Sequence, residues 1–74
     1  MKVTSLRDWK SIRLYIDKVL YLYLPLKGFN GLNSYLEDDR FYIELYNKKT
    51  ILLEFRERDK WEQVLKHLDK NLPK

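Results

Sequence analysis

The sequence predicts a small α+β domain in the order helix, two or three antiparallel strands, helix, with both helices in a single layer on one sheet face. Apolar residues recur at helical spacing before Pro25, alternate with polar residues over positions 41–56, and return to helical spacing after position 59. With 74 residues the chain is long enough for one core, so residues 1–74 are assigned to a single domain.

The first predicted element is an amphipathic helix that begins near residue 5 and ends before Pro25, which cannot continue it. At 100° per residue its apolar side chains occupy an arc of about 140°. These side chains are Leu6, Trp9, Ile12, Ile16, Val19, Leu20 and Tyr23. Thr4 or Ser5 can cap this helix, and Asp8 fits an acidic capping box. The alternating stretch "VLYLYLPL" leaves residues 19–26 open between helix and strand.

A loop and a short strand follow. The stretch "LPLKGFNGLN" contains both glycines of the chain, Gly28 and Gly31, which predicts a connector with left-handed backbone rather than a phosphate-binding loop. The stretch "SYLE" predicts a short strand that turns through residues 37–39.

The clearest β signal is the hairpin in "RFYIELYNKKTILLEF". Pairing Tyr46 with Thr50 leaves Asn47, Lys48 and Lys49 as a three-residue turn. This register keeps one apolar face together, and a slip of one residue would bury charges. The apolar face comprises Phe41, Ile43, Leu45, Ile51, Leu53 and Phe55.

The last predicted element is a helix capped by Asp59 and ended by Asn71 and Pro73. Its apolar stripe is Trp61, Val64, Leu65 and Leu68. The residues expected to be buried together are Trp9, Ile43, Leu53, Phe55, Trp61 and Leu65. A chain of this length can bury only a thin core, which favours additional burial in a homodimer or against a partner.

The charge of +4 and the pI near 9.4 favour an anionic partner. Cations of the first helix, the hairpin turn and the last helix predict nucleic-acid binding, since several elements could contact phosphates. The candidate residues are Arg7, Lys10, Lys18, Lys48, Lys49, Lys66 and Lys70. Solvated helix surface is the simpler interpretation of the same residues. Alanine is absent, a bias associated with A+T-rich genomes and mobile elements such as viruses.

The alternative is a protein-interaction or inhibitor module. Tyr42, Tyr46 and Leu52 fall on the sheet face opposite the apolar one, where they would form an exposed aromatic patch. Exposed aromatic residues suit a protein interface as well as base stacking, and cross-strand packing would also explain them.

Two partial resemblances to known families concern fold. The order helix, strands, helix resembles the double-stranded-RNA-binding domain, although the last helix here begins "RDKWEQVLKHL" and lacks that family's basic, alanine-rich start. The stretch "LEFRERDKWEQVLKHL" resembles the closing strand and Trp-bearing helix of pleckstrin-homology-like domains over less than a quarter of the chain. Neither resemblance identifies the family.

No motif predicts catalysis, a cofactor or a metal site. Asp39 and the stretch Glu54-Phe55-Arg56 resemble the metal-binding motif of restriction-like nucleases, but an arginine replaces its lysine. His67 has no partner placed by a triad motif. Cysteine is absent, and neither a signal peptide nor an apolar run of membrane-spanning length is evident. These features favour a non-enzymatic, cytoplasmic binding protein without membrane association.

Overall fold

The computed structural model describes residues 1–72, which form six β-strands followed by one α-helix. The elements are β1 (Val3–Arg7), β2 (Ser11–Ile16), β3 (Val19–Pro25), β4 (Gly31–Glu37), β5 (Arg40–Tyr46), β6 (Thr50–Phe55) and α1 (Arg58–Asn71). The strands form two three-stranded antiparallel sheets, with β1-β2-β3 as the first sheet and β4-β5-β6 as the second.

The predicted N-terminal helix is wrong, because residues 3–25 form the whole first sheet. On β2, Ile12 and Leu14 are fully buried while Arg13 between them is exposed, which is the two-residue period of a strand. The stretch 19–26, which was open between helix and strand, provides β3. Ser5 lies inside β1 and therefore caps no helix.

Two tight turns make these antiparallel strands possible. Asp17 and Lys18 connect β2 to β3 with φ values of 50° and 69°, and Asp38 and Asp39 connect β4 to β5 with 49° and 62°. Positive φ at both central residues gives the local twist that two-residue hairpins require, and aspartate tolerates it better than most residues.

The predicted β5–β6 hairpin is confirmed in its register and its turn. Tyr46 pairs with Thr50 and Ile43 pairs with Leu53, so the three-residue turn is 47–49. The short strand predicted before it is longer than expected, because β4 spans Gly31–Glu37. Gly31 supplies its first residue with φ of 156°.

The C-terminal helix is confirmed, but its start differs from the prediction. Glu57 occupies the N-cap position without a side-chain hydrogen bond, and Asp59 lies in the first turn, where its carboxylate accepts a hydrogen bond from Gln63 at 2.9 Å. Acidic residues are favourable there because the N-terminal helix dipole is positive. The helix ends at Asn71, and predicted Pro73 lies outside the described residues.

One hydrophobic core joins both sheets and α1. Its buried members are Val3, Ile12, Leu14, Leu22, Leu24, Ile43, Leu45, Phe55, Val64 and Leu68. The helix packs against β1 and β2 of the first sheet and β5 and β6 of the second, so a single helix replaces the predicted layer of two. Of the predicted core, Leu53, Trp61 and Leu65 pack at its margin, whereas Trp9 is excluded from it.

Within residues 1–72, α1 has 14 residues and an exposed charged face, and no helix has the length and apolar character needed to cross a bilayer.

Candidate nucleic-acid interface

Three turns meet at one end of the molecule, which we call the cationic end. They are residues 8–10 between β1 and β2, residues 26–30 between the sheets, and residues 47–49 between β5 and β6. The backbone N–H of Leu26 donates to the carbonyl of Lys10 at 2.8 Å. The side-chain amide of Asn47 donates to the carbonyl of Pro25, also at 2.8 Å. The first bond ties the first turn to the middle one, and the second ties the third turn to the end of β3, directly before the middle turn.

The turn 47–49 is fixed by its own hydrogen bonds. The Asn47 side-chain oxygen accepts from the Lys48 N–H at 2.6 Å, and the Asn47 N–H donates to the Lys49 carbonyl at 3.3 Å. Gly28 lies directly beneath this turn with φ of 84°, and a Cβ there would lie 3.1 Å from the Asn47 oxygen. The close approach of the two turns therefore depends on glycine.

The cationic end presents four exposed lysines from three turns: Lys10, Lys27, Lys48 and Lys49. Asp8 is the one carboxylate among the residues of these turns, all of which the structure describes. Lys10, Lys48 and Lys49 were among the predicted nucleic-acid-binding residues, whereas Lys27 was not.

The Asp8 carboxylate already has hydrogen-bond and ion-pair partners within the protein. It accepts hydrogen bonds from the N–H groups of Lys10 and Ser11 at 2.9 and 2.8 Å, and from the Ser11 hydroxyl at 3.3 Å. Arg13 pairs with its second oxygen at 3.3 Å. The backbone bonds, with help from Arg13, lower the pKa of Asp8 below its ordinary 3.8. Asp8 thus shapes a hairpin turn instead of the capping box predicted for it.

Trp9 stands at the tip of the first turn with 84% of its surface exposed. The Lys10 ammonium lies 5.2 Å from the centroid of its ring, within the range of a cation–π contact. This position contradicts the predicted burial of Trp9. A tryptophan exposed to this degree contributes little to folding and leaves most of its surface open to a ligand.

The other predicted cations are distributed over the molecule. Arg7 is exposed and ends β1, next to the first turn. Lys18 lies in the β2–β3 turn, at the other end of the six-residue strand β2 from Lys10, a separation of about 20 Å at 3.4 Å per residue. Lys66 and Lys70 lie on α1, where they line a groove together with Gln63 and His67. The seven candidates therefore do not form one surface.

The predicted tyrosine face lies on the outer side of the second sheet. Tyr42 stacks on Tyr35 with ring centroids 5.0 Å apart, and both rings are half-buried. Burial, with a contribution from the neighbouring Glu44 carboxylate, raises the pKa of Tyr35. Tyr46 is also half-buried, whereas Leu52 is 55% exposed. Cross-strand packing accounts for much of this tyrosine surface.

A second apolar surface lies on the outer face of the first sheet and was not predicted from the sequence. Leu6, Leu20 and Tyr23 are between 50% and 62% exposed. Leu6 lies on β1, within the predicted helix, and the other two lie on β3, in the stretch left open between helix and strand. Arg13 lies between Leu6 and Tyr23 in the register of the sheet. The alternation in "VLYLYLPL" was the available signal for this face.

No cluster of three or more histidine, aspartate or glutamate side chains suited to a metal ion occurs among residues 1–72. Asp39 lies in the β4–β5 turn, and Glu54 forms an ion pair with Arg40 at 3.2 Å.

In comparisons with known proteins, no family model, curated protein or solved structure matches this chain.

Proposed function

We propose that this protein binds single-stranded nucleic acid at its cationic end, with lysines contacting phosphates and Trp9 stacking on a base. The observation that carries the proposal is that four exposed lysines from three turns lie at the same end of the molecule as an 84% exposed tryptophan and a carboxylate that is already hydrogen-bonded. The same combination of cations and open aromatic surface characterises proteins that bind single strands with little sequence preference.

A single strand suits this surface better than a duplex. In a duplex the faces of the bases are stacked, so an exposed indole can reach only grooves and backbone. In a single strand every base offers a free face, and stacking on an aromatic side chain contributes about 1 to 3 kcal/mol per base. Lysines of the three turns would contact the phosphates of the strand beside the stacked base. This is the role proposed for Lys48 and Lys49 in the turn of the β5–β6 hairpin.

The proposed role is that of a non-enzymatic binding protein acting in the cytoplasm. The absence of cysteine is compatible with such a reducing environment.

The test is a salt titration of binding to a random single strand and a random duplex. Each phosphate contact on a single strand contributes about 0.7 to the slope of log affinity against log salt, so four lysines predict a slope of about 3. The double substitution Lys48→Gln, Lys49→Gln should reduce that slope by about half, because two of the four contacts are lost.

The matched control is Lys2→Gln, Lys18→Gln, which removes the same charge near the β2–β3 turn. It should leave the slope close to that of the unmodified protein. Equal slopes for the two double variants would show that binding depends on net charge alone, and no binding to either nucleic acid at low salt would refute the proposal.

A protein partner for the outer face of the second sheet is the second candidate function. Leu52 favours it, because its side chain is 55% exposed beside the stacked Tyr35 and Tyr42. In that case Leu52→Asp would abolish capture of the partner from the native host, while the Lys48, Lys49 variant would still bind it.

A further inference from the structure

The groove on α1 contains a histidine held by a chain of hydrogen bonds. The side-chain nitrogen of Asn71 donates to the Ser5 hydroxyl oxygen at 2.9 Å and to the His67 carbonyl at 2.7 Å. The Ser5 oxygen in turn lies 2.8 Å from Nδ1 of His67. All three residues are half-buried, and the chain joins the last turns of α1 to β1.

This chain places the Ser5 hydroxyl next to one nitrogen of the imidazole, Nδ1. Both contacts of the Asn71 nitrogen are to oxygens that can accept, which identifies it as the amide donor. Ser5 therefore accepts from Asn71 and retains its own proton to donate. Among the residues described, Nδ1 of His67 is the acceptor within reach of that hydroxyl. When the Ser5 hydroxyl donates to Nδ1, neutral His67 carries its proton on Nε2, because a ring nitrogen that accepts cannot also be protonated.

The groove has a volume of about 340 Å³ and is lined by Gln63, Lys66, His67 and Lys70. Lys66 and Lys70 are exposed ammonium groups that can only donate hydrogen bonds, and the proton on Nε2 makes the free nitrogen of His67 a donor as well. The Gln63 amide donates to Asp59, one turn earlier on the helix. No carboxylate lines the groove among the described residues.

We propose that this groove is a binding site for a phosphate monoester group, held by Lys66, Lys70 and Nε2–H of His67. Charge-assisted hydrogen bonds from two ammonium groups favour a dianionic oxyanion over a neutral ligand. The groove lies on α1 and not on the three turns of the cationic end, so this site stands independently of the proposed nucleic-acid binding. Free phosphate and a terminal nucleotide phosphate share the required chemistry.

The first measurement is the tautomer of His67 by ¹⁵N NMR in mildly alkaline buffer. The chain contains one histidine, so the imidazole signals need no assignment by mutation. The expected spectrum has a protonated Nε2 and an unprotonated Nδ1. A protonated Nδ1 in the neutral ring would overturn the inference.

The second measurement is a titration with inorganic phosphate, and separately with a nucleoside 5′-monophosphate, followed at the His67 signals. Saturable binding of both in the millimolar range would support a site for the phosphate group itself, and binding of the nucleotide alone would support a nucleotide-derived phosphate. Lys66→Gln, Lys70→Gln should weaken binding about tenfold or more, and Ser5→Ala, which alters no lining residue, about threefold.

The control is Lys48→Gln, Lys49→Gln, which removes equal charge elsewhere and should leave phosphate affinity unchanged. Absence of saturable binding to either ligand, or equal weakening by the two double-lysine variants, would refute the site. Melting curves of each variant identify any loss of binding that comes from unfolding.

Discussion

The two tryptophans of this chain occupy opposite environments. Trp61, on the core-facing side of α1, is half-buried, lies 5.1 Å from the Phe41 ring between centroids, and donates its indole N–H to the Tyr42 carbonyl at 3.1 Å. Trp9, at the cationic end, is 84% exposed, and its ring contacts the neighbouring Lys10 ammonium. The same side chain thus joins helix to sheet in one place and is available to a ligand in the other.

This difference separates the residues that hold the fold from those that can serve a partner. Trp61 contributes packing and a satisfied polar atom, both of which are lost if the helix detaches. Trp9 contributes little of either, so its large apolar surface in water has no explanation in folding. Substitutions at the two positions should therefore affect different measurements.

The largest effect is expected for Trp61→Ala. Removing this side chain leaves a gap between α1 and β5, and the free energy of unfolding should fall by about 3 kcal/mol, a large share of what so small a domain possesses. Thermal or denaturant unfolding measures this change. Trp61→Phe should cost about 1 kcal/mol, because it retains packing and loses the hydrogen bond to Tyr42.

Trp9→Ala is the matched substitution at the exposed site. It should change the free energy of unfolding by less than about 0.5 kcal/mol, as surface substitutions usually do. Comparable destabilisation by the two alanine variants would contradict the contrast between the tryptophans.

The next effect concerns binding. Trp9→Ala should weaken affinity for a single strand by about 1 to 3 kcal/mol, which is roughly 5- to 150-fold, with little change in the salt dependence, because stacking releases no counterions. Fluorescence anisotropy of a labelled oligonucleotide measures the affinity. Trp9→Phe should recover part of the loss, and an unchanged affinity in Trp9→Ala would remove stacking from the proposed mechanism while leaving the phosphate contacts to be judged by their own test.

The two halves of the chain also differ in how well their sequence predicts them. The β5–β6 hairpin was predicted in register because the alternation is long and a one-residue slip would place Glu44 and Glu54 in the core. Most of the first sheet was mistaken for a helix because Ile12 and Ile16 satisfy both the helical and the strand period. Its β2–β3 turn, Asp17-Lys18, also lacks the Asn-Gly or Asp-Gly pair that usually signals such a hairpin.

The candidate site was predictable in part for the same reason. Lys48 and Lys49 were placed at a turn by local pairing alone. Their association with Lys10 and Lys27 depends on the bond from Asn47 to Pro25, 22 positions apart, which no local pattern specifies. The exposure of Trp9 was missed because tryptophan is highly buried on average and its spacing fitted an apolar stripe.

The smallest effect is expected at Asp8, which shapes the turn that carries Trp9. Its pKa is lowered chiefly by hydrogen bonds from the backbone of Lys10 and Ser11, which favour the ionised carboxylate. A lowered folded-state pKa gives a contribution to stability that is present above the ordinary value of 3.8 and is lost as the pH falls through the lower folded value. Asp8→Asn should therefore lower the Tm at neutral pH, and the difference from the unmodified protein should shrink in strong acid.

Arg13→Gln separates the two origins of this effect. It removes the ion pair with Asp8 but keeps the hydrogen bonds from Lys10 and Ser11, which have the larger influence on the pKa. The variant should therefore retain most of the acid sensitivity that Asp8→Asn removes. If Arg13→Gln removed as much of it as Asp8→Asn does, the ion pair and not the turn hydrogen bonds would stabilise this end of the first sheet. Trp9 would then be positioned by a surface ion pair, which salt screens. The affinity of the protein for a single strand should in that case decline with added salt by more than the loss of the lysine–phosphate contacts explains.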